Sequence, residues 1–520
     1  MMRLARQERI RRLQGNPAPD VLIVGAGING IGTFRDLALQ GVSVALIDRG
    51  DYCSGASAAS SHMVHGGIRY LENGEFRLVR EAVRERNRLI ENAPQLVKPL
   101  PTTFPIFKRF SGLLNAPLKF LRLLNRPAER GALVIKLGLL FYDWFTRAQR
   151  VVPRHVFRSR AESLVQFPAL NPQVLYTATY YDAAMPSPER LALEVLKDGE
   201  GAGDHAIPLN YVSLVSAKGS EVRLRDEVTG EEFVTHPKLL VNAAGPWIDL
   251  VNASMANTTR FIGGTKGSHV VLDHPELRAA IGEHEFFFEN EDGRFVLIFP
   301  LEDRVLVGTS DIRVDSPEGV TITDEEIEYF FGMIRRVFPA IEIDRSHIVF
   351  TFSGVRPLAF GSVSEEQMSR DHKIEMLEPD ASQSLPIVSL VGGKWTTFRA
   401  FSEQASNVIL GRLGLSRKAS TANLKIGATR AQAKADLETL IAEEDVVHLD
   451  DLLFRRTNTC MLGRATEAKV REFADLAGRT LGWPAERKVR EIARMKDILL
   501  KKHKMRFTRL AGDVLGKEVL

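Results

Sequence analysis

Only two cysteines, Cys53 and Cys460, occur in 520 residues, far apart and outside any CxxC pattern. That argues against a disulfide framework or a thiolate zinc site and fits a reducing compartment. No metal cluster stands out among the other ligand-type side chains. Long apolar runs are also missing. The best, Gly131 to Phe145, is interrupted by Lys136 and Asp143 and is too short to span a bilayer. The basic N-terminus, MMRLARQERIRRLQG, has no apolar stretch after it, so it does not read as a secretory signal. Nor is there a large excess of one charge. A net charge of +4 gives no reason to expect nucleic acid as a partner. What remains is 44% hydrophobic and 26% charged, the profile of a globular protein, at a length that calls for two or three domains.

The first ordered unit is DVLIVGAGINGIGTFRDLALQGVSVALIDRGD. Val21 to Val24 is a continuous apolar run, as in a strand buried on both faces. Gly25, Gly27 and Gly30 follow as GxGxxG, with Asn29 inside the turn. Ile31 to Leu39 has helical spacing, Gly41 ends that helix, Val42 to Ile47 reads as a second buried strand, and Asp48 comes next. In such a unit the first glycine permits a tight turn, and the second lets backbone approach a pyrophosphate at the helix N-terminus. The third allows helix to pack on strand, and the acid accepts from a ribose hydroxyl. Small residues then run from Ser54 to Ser61, including Ser57, Ser60 and Ser61, and lead into His65, Gly66 and Gly67. Their backbone can lie close to a long ligand, and their hydroxyls and amides can bond its phosphate and ribityl groups.

Phe76 to Val97 reads as a solvated amphipathic helix supported by Glu–Arg pairs. Ile106 to Arg150 is richer in cations, with nine Lys and Arg against Glu129 and Asp143, and Phe, Leu and Trp between them. This composition suits a segment lying in an anionic bilayer interface, and equally a basic helical excursion of a soluble domain. Lys238 to Val251 is another buried strand, running into Ala244 and Gly245. Leu385 to Ala405 is a last strand with a Gly392–Gly393 turn, Lys394, and a helix opening near Thr396. That helix N-terminus would aim its positive end at negative charge on a bound ligand. The intervening segments alternate apolar and polar residues with turn signals, as strands of an antiparallel sheet do.

GAGINGIGTFRDLALQG and SGASAASSHMVHGGIRYLENGEFRLVREAVRER, with KGSHVVL, VGTSD, FSGVRPL, SRDHKI and VGGKWTTFR in that order, resemble the FAD-dependent glycerol-3-phosphate dehydrogenases. The resemblance is to the aerobic, quinone-linked type. It runs from Asp20 to about Arg399 and more weakly to Arg456. It implies an α/β chain with a glutathione-reductase-type FAD domain, a substrate domain like that of D-amino-acid oxidase, built on an antiparallel sheet, and a helical C-terminal cap. The expected division is residues 20–105, 155–260 and 385–415 for noncovalent FAD, 106–154 for a membrane-surface segment, 261–384 for substrate, and 416–520 for the cap. Asp48 stands where the family often has Glu, and the part preceding VVHLDDLLFRRT looks short.

Oxidising a secondary alcohol needs a hydride acceptor, a base and a grip on the rest of the substrate. Flavin N5 is the expected acceptor. Arg69, Tyr70, Arg356, Arg370 and Lys394 lie in family motifs beside small residues, as a phosphate and polyol pocket requires. His269 is the expected base, because imidazole titrates near working pH. The resemblance also implicates Arg356 in proton abstraction. His65 is expected against the flavin, and His62 and His372 in ordinary packing. The resulting expectation is oxidation of sn-glycerol 3-phosphate to dihydroxyacetone phosphate, with electrons passed to quinone. The alternatives are a longer substrate such as erythritol phosphate, or an oxidase using oxygen. The short link between GVRPL and SRDHKI favours quinone over oxygen. A flavoprotein with purely structural FAD, or an amino-acid oxidase, fits the cations less well. The family places such an enzyme peripherally on the inner face of the cell membrane and leaves a homodimer open.

Overall fold

The computed structural model describes residues 6–15, 18–68, 75–109, 131–289, 295–360, 371–379, 384–427 and 436–507. Among them, two large sheets frame the molecule. The first has the order Lys373–Leu377, Ile387–Val391, Leu239–Asn242, Val21–Val24, Val44–Ile47, Ala206–Leu209. All its pairings are parallel except that of Lys373–Leu377 with Ile387–Val391. Its inner strands are buried at every position because both faces are covered, and apolar except at Asn242 and Ser389. On one face Val21, Ile23, Leu46 and Val241 pack against helices Ile28–Leu39, Pro188–Glu200 and Phe398–Arg412. On the other, Leu22, Val24, Ala45 and Leu240 meet a small antiparallel sheet and the helix Arg6–Gln14.

The cofactor helix begins at Ile28, one turn earlier than apolar spacing predicts, because glycines give no periodic signal. Val44 opens the second strand, two residues later than expected. Val42 is still occupied with the helix end, where its N–H bonds the Leu37 carbonyl across Gly41 at φ +80°.

The second sheet is mostly antiparallel and contains Ile348–Arg356, Thr265–Leu272, Arg304–Gly308, Phe295–Leu301, Glu285–Glu289, Lys98–Ile106, Tyr176–Ala184 and Met63–Val64. Lys98–Ile106 and Tyr176–Ala184 were expected within the FAD domain. They instead pair with one another along nine residues, and Lys98–Ile106 also pairs with Glu285–Glu289. Both therefore belong to the substrate-side sheet. One face of this sheet is covered by helices Pro275–Ile281 and Asp324–Val337. Part of the other receives the C-terminal helices Leu437–Glu443, Glu467–Leu481 and Ala485–His503. The helical cap thus begins at Leu437 among the described residues, later than Ser416.

Phe76–Asn92 is helical, with Arg77, Arg80, Arg84 and Glu91 exposed as expected, but not all of its charged residues are solvated. Glu85 is 2% exposed and Arg86 1%. Glu85 takes the Arg399 guanidinium and Arg86 reaches Asp182, so partners from distant segments bury what looked like a surface row. Within 106–154, residues 110–130 lie outside the description, and Ala132–Thr146 is a helix. Among the described residues no helix is long and apolar enough to cross a membrane, and no group of side chains is arranged to hold a metal ion.

Candidate active site

A cavity of about 2060 Å³ lies between the C-terminal ends of the parallel strands and the exposed part of the second sheet. Its lower wall is the turn from Val24 into the helix Ile28–Leu39. Gly25 has φ +106°, and a Cβ there would come within 2.7 Å of the Ala243 backbone. At Gly30 a Cβ would meet the Gly25 carbonyl at 1.9 Å, so this glycine packs behind the cavity lining. Gly27 caps the helix with no side chain of its own to bond the free N–H groups. Ser57 approaches the same turn, accepting the Ile28 N–H at 3.0 Å. The helix N-terminus therefore offers donors and a positive end to the cavity, the environment a pyrophosphate needs.

Asp48 closes the turn from behind. One carboxylate oxygen accepts the Ala26 N–H at 2.7 Å and the other the Gly50 N–H at 2.9 Å. Burial pushes its carboxyl above the ordinary range. Each oxygen keeps a second acceptor direction, and Asp48 lines the cavity.

Two further strand ends converge here. Ala243 donates its N–H to the Val24 carbonyl, and Ala244 and Gly245 line the wall beyond it. Past Ile387–Val391 the chain turns through Gly392 and Gly393, at φ +79° and +92°. The Asn29 amide donates to the Gly392 carbonyl at 3.0 Å, while its own buried oxygen has no partner among the described residues. Lys394, Trp395 and Thr396 follow as the first turn before the helix Phe398–Arg412, with the Trp395 indole N–H on the Ser57 carbonyl. Thr396 donates to the His65 carbonyl at 3.4 Å. Ser57, Ser60, Ser61, His65 and Gly67 all line the cavity. Gly66 lies behind it, and its N–H goes to Asp182.

The opposite wall is the face of the second sheet. His269 on Thr265–Leu272 is paired in register with Phe352 on one side and Gly308 on the other. Its ring stacks on Phe352 at 4.7 Å and 12°. Across from it, a Cβ at Gly308 would lie 2.2 Å from the ring, so this position has to be glycine. The imidazole is 1% exposed, its Nε2 lies 2.9 Å from Ser61 Oγ, and its buried Nδ1 has no partner among the described residues. Burial first, then the Arg356 and His62 charges, push the imidazole well below its usual titration range. Arg356 ends the neighbouring strand. Its guanidinium donates to Thr309 Oγ1 at 2.8 Å, the Ser310 carbonyl and Asp311 Oδ1 at 3.1 Å. It can lie across the sheet because position 267 is glycine, where a Cβ would be 2.3 Å from Nη2.

His269, Arg356 and Lys394 thus face one cavity, whereas Arg69, Tyr70 and Arg370 lie outside the described residues. His62 is buried, with Nδ1 on the Pro186 carbonyl and its imidazole pushed down to about 4 by burial. His372 packs on Phe401. Both cysteines are buried and unbridged. Sequence reasoning missed Asp182, Phe352, Gly308 and Thr309. An aspartate inside the apolar run YTATYYDAA was the available signal for the first of these.

The donor set, the glycine cradle and the cavity size fit FAD. Gly25, Gly27, Ser57 and Asp48 would hold the nucleotide end, and the His65–Gly67 loop with Lys394 and Thr396 the flavin end. A family model described as DAO, FAD dependent oxidoreductase, matches residues 20–375. A glycerol-3-phosphate dehydrogenase of Synechocystis is 35% identical over 424 residues, covering 76% of this chain and 71% of that protein. A D-erythritol 1-phosphate dehydrogenase of Brucella abortus is 31% identical, covering 74% and 72%. The crystal structure of a glycerol-3-phosphate dehydrogenase from Bacillus halodurans with FAD superposes with a TM-score of 0.73 at 20% identity, over 96% of this chain and 97% of that one. The chain belongs to the FAD-dependent oxidoreductases, within the glycerol-3-phosphate dehydrogenase family, and FAD is its cofactor.

Proposed function

We propose that the protein oxidises sn-glycerol 3-phosphate to dihydroxyacetone phosphate and delivers the electrons to a quinone at an anionic membrane surface. The observation that carries the reading is the placement of Arg356 and the Ser61–His269 pair on the wall facing the FAD cradle. Bound FAD supplies the hydride acceptor. Arg356 stabilises negative charge growing on the substrate oxygen as hydride leaves. The hydroxyl proton passes through Ser61 Oγ to His269 Nε2, in the tautomer that accepts there. His269 is held neutral by burial, so it is ready to accept before each turnover. Lys394, Arg370, Arg69 and Tyr70 hold the phosphate end.

The helix Ala132–Thr146 supports the membrane part. Leu137, Leu140 and Trp144 are 57%, 50% and 56% exposed, and with Leu133 and Phe141 they form one outward stripe. Such a stripe, next to basic residues, suits the lipid interface. Erythritol phosphate is the second reading, favoured by the Brucella relative. Anaerobic bleaching of the bound flavin by a panel of polyol phosphates, followed by reoxidation with quinone or air, tests both substrate and acceptor. Bleaching by the four-carbon phosphate but not the three-carbon one would reverse the substrate order, and fast reoxidation by air alone would remove the quinone.

A further inference from the structure

We infer that Asp182, paired with Arg86, is a positioning residue for the flavin: it fixes the His65–Gly67 backbone and places a negative charge in the wall at that end of the cavity. The inference rests on the FAD reading of this cavity. Met63–Val64 runs antiparallel to Tyr176–Ala184, with Met63 opposite Ala184 and Val64 opposite Ala183. The next ladder step would bring in Asp182. The backbone pairing stops there and the side chain takes over, with Asp182 Oδ1 accepting the Gly66 N–H at 2.6 Å. Tyr180 donates to the other oxygen at 2.8 Å, and Arg86 Nη1 approaches at 3.3 Å. Three donors converge on a side chain that is 0% exposed and lines the cavity.

The loop is held equally tightly from below. A Cβ on Gly66 would lie 2.1 Å from the Tyr142 hydroxyl and 2.7 Å from Arg86 Nη1. Arg86 is anchored in turn on the Tyr181 carbonyl at 2.7 Å, on Asn87 and on Tyr142. From the cofactor side Thr396 grips the His65 carbonyl. An asparagine amide oxygen would accept the Gly66 N–H just as well. A buried ion pair is in general no more stabilising than a well-packed neutral substitute. The charge itself is what a neutral side chain would lack. Burial pushes the Asp182 carboxyl up, and the Arg86 charge, the Gly66 N–H and the Tyr180 hydroxyl pull it down. The carboxylate they hold opposes the build-up of negative charge on a reduced flavin, so Asp182 keeps the reduction equilibrium toward the oxidised form.

The test measures the two-electron flavin potential of purified holoenzyme, alongside FAD content. Asp182→Asn should shift the reduction equilibrium at least tenfold toward reduced flavin, about 30 mV for a two-electron couple. Arg86→Lys, which keeps the pair charged, should stay within twofold of the parent. Tyr180→Phe removes one donor, makes the carboxyl easier to protonate, and should move the potential at pH 6 in the same direction as Asp182→Asn by at least twofold. It carries the test alone if Asp182→Asn fails to retain FAD. A purely structural role would lower thermal stability and leave the potential of the bound flavin unchanged, which would overturn the inference. If the unmodified protein purified without FAD, the cofactor reading would fail instead.

Discussion

Ser61 Oγ lies 2.9 Å from Nε2 of His269, joining the small-residue loop after the first cofactor strands to the centre of the antiparallel sheet. His269 is stacked on Phe352 and backed by Gly308, which confines the ring between the two strands with Nε2 on the serine. In the proposed mechanism, proton traffic to it uses the serine. His269→Gln should lower kcat by roughly 100-fold or more, the usual scale for a lost general base, and Ser61→Ala should lower it by less, both with FAD content unchanged. The pH profile is a second readout. The base works only when neutral, and its folded-state titration lies well below the ordinary imidazole range. The rate should therefore hold steady as pH falls through 6.5 and drop only in more acid solution. An acid limb at or above pH 6.5 would assign the base elsewhere.

Burial pushes the Glu285 carboxyl up to about 8, with one oxygen accepting from Thr102 at 2.9 Å. In the unfolded chain the same group titrates near 4.5. Between those values the folded state holds a proton that the unfolded state has lost, so stability falls as pH rises through this window. Glu285→Gln removes the loss and can accept from Thr102 in the same way. It should be more stable than the parent at pH 7, by up to about 3 kcal/mol, and the difference should vanish near pH 4.5. Denaturation midpoints across pH provide the measurement, and parallel curves for the two proteins would mean that Glu285 is already ionised in the fold.

At Gly27 a Cβ already comes within 3.2 Å of Ser57 Oγ, and a larger side chain would fill the space above the helix N-terminus. Gly27→Val should purify with less than about a tenth of the parent's flavin, since backbone approach is what this position provides. Acid precipitation of the parent should release all of its flavin, because no side chain is assigned a covalent link. A yellow Gly27→Val protein at full occupancy would move the pyrophosphate to another turn.

Arg370→Ala should raise KM for the phosphorylated substrate tenfold to a hundredfold while barely changing that for free glycerol, as expected when a charged bond worth about 1.5–3 kcal/mol is lost. Arg356→Ala should instead reduce kcat, on the order of 10²–10³-fold for a lost charge-stabilising donor. Steady-state kinetics with both substrates separates the two roles. Equal effects of Arg370→Ala on phosphate ester and free polyol would remove the phosphate assignment.

The outward stripe on Ala132–Thr146 should hold the protein on anionic liposomes at low salt. Changing Leu137, Leu140 and Trp144 to Glu should release it, because lost apolar insertion adds to repulsion by the surface. Raising the salt should weaken binding of the parent only in part, since screening acts on its basic residues and not on its buried apolar ones. A parent protein that stays in the supernatant at low salt would leave the stripe without a lipid partner.

The first βαβ unit was readable because each feature acts locally: an apolar run, glycines at fixed steps, and an acid at the next strand end. The sheet membership of Lys98–Ile106 and Tyr176–Ala184 was not, because alternation shows that a strand is half-buried but not which sheet it joins. Arg86 and Glu85 carried the same difficulty. On helical spacing alone they are a surface row, and only Asp182 and Arg399, brought in from other elements, account for their burial. His269 was found from its motif, but its confinement was invisible, because the space beside it comes from Gly308 on a strand that pairs with it only after folding.

The parallel sheet also sets a schedule for making the protein. Val21–Val24 lies beside Leu239–Asn242, which needs Ile387–Val391 on its far side, and the Gly392–Gly393 turn comes last. At 5–20 residues per second the ribosome takes roughly 20–80 s to reach that strand. Throughout that time the apolar faces of the early strands have no complete cover, and free FAD has no finished cradle to bind. Ribosome-stalled chains ending before Ile387 should take up no flavin, and those long enough to expose Phe398–Arg412 outside the exit tunnel should begin to do so. Supply of FAD can therefore rescue this chain only near the end of its synthesis, and a chaperone that shelters exposed strands should matter more than cofactor concentration before then.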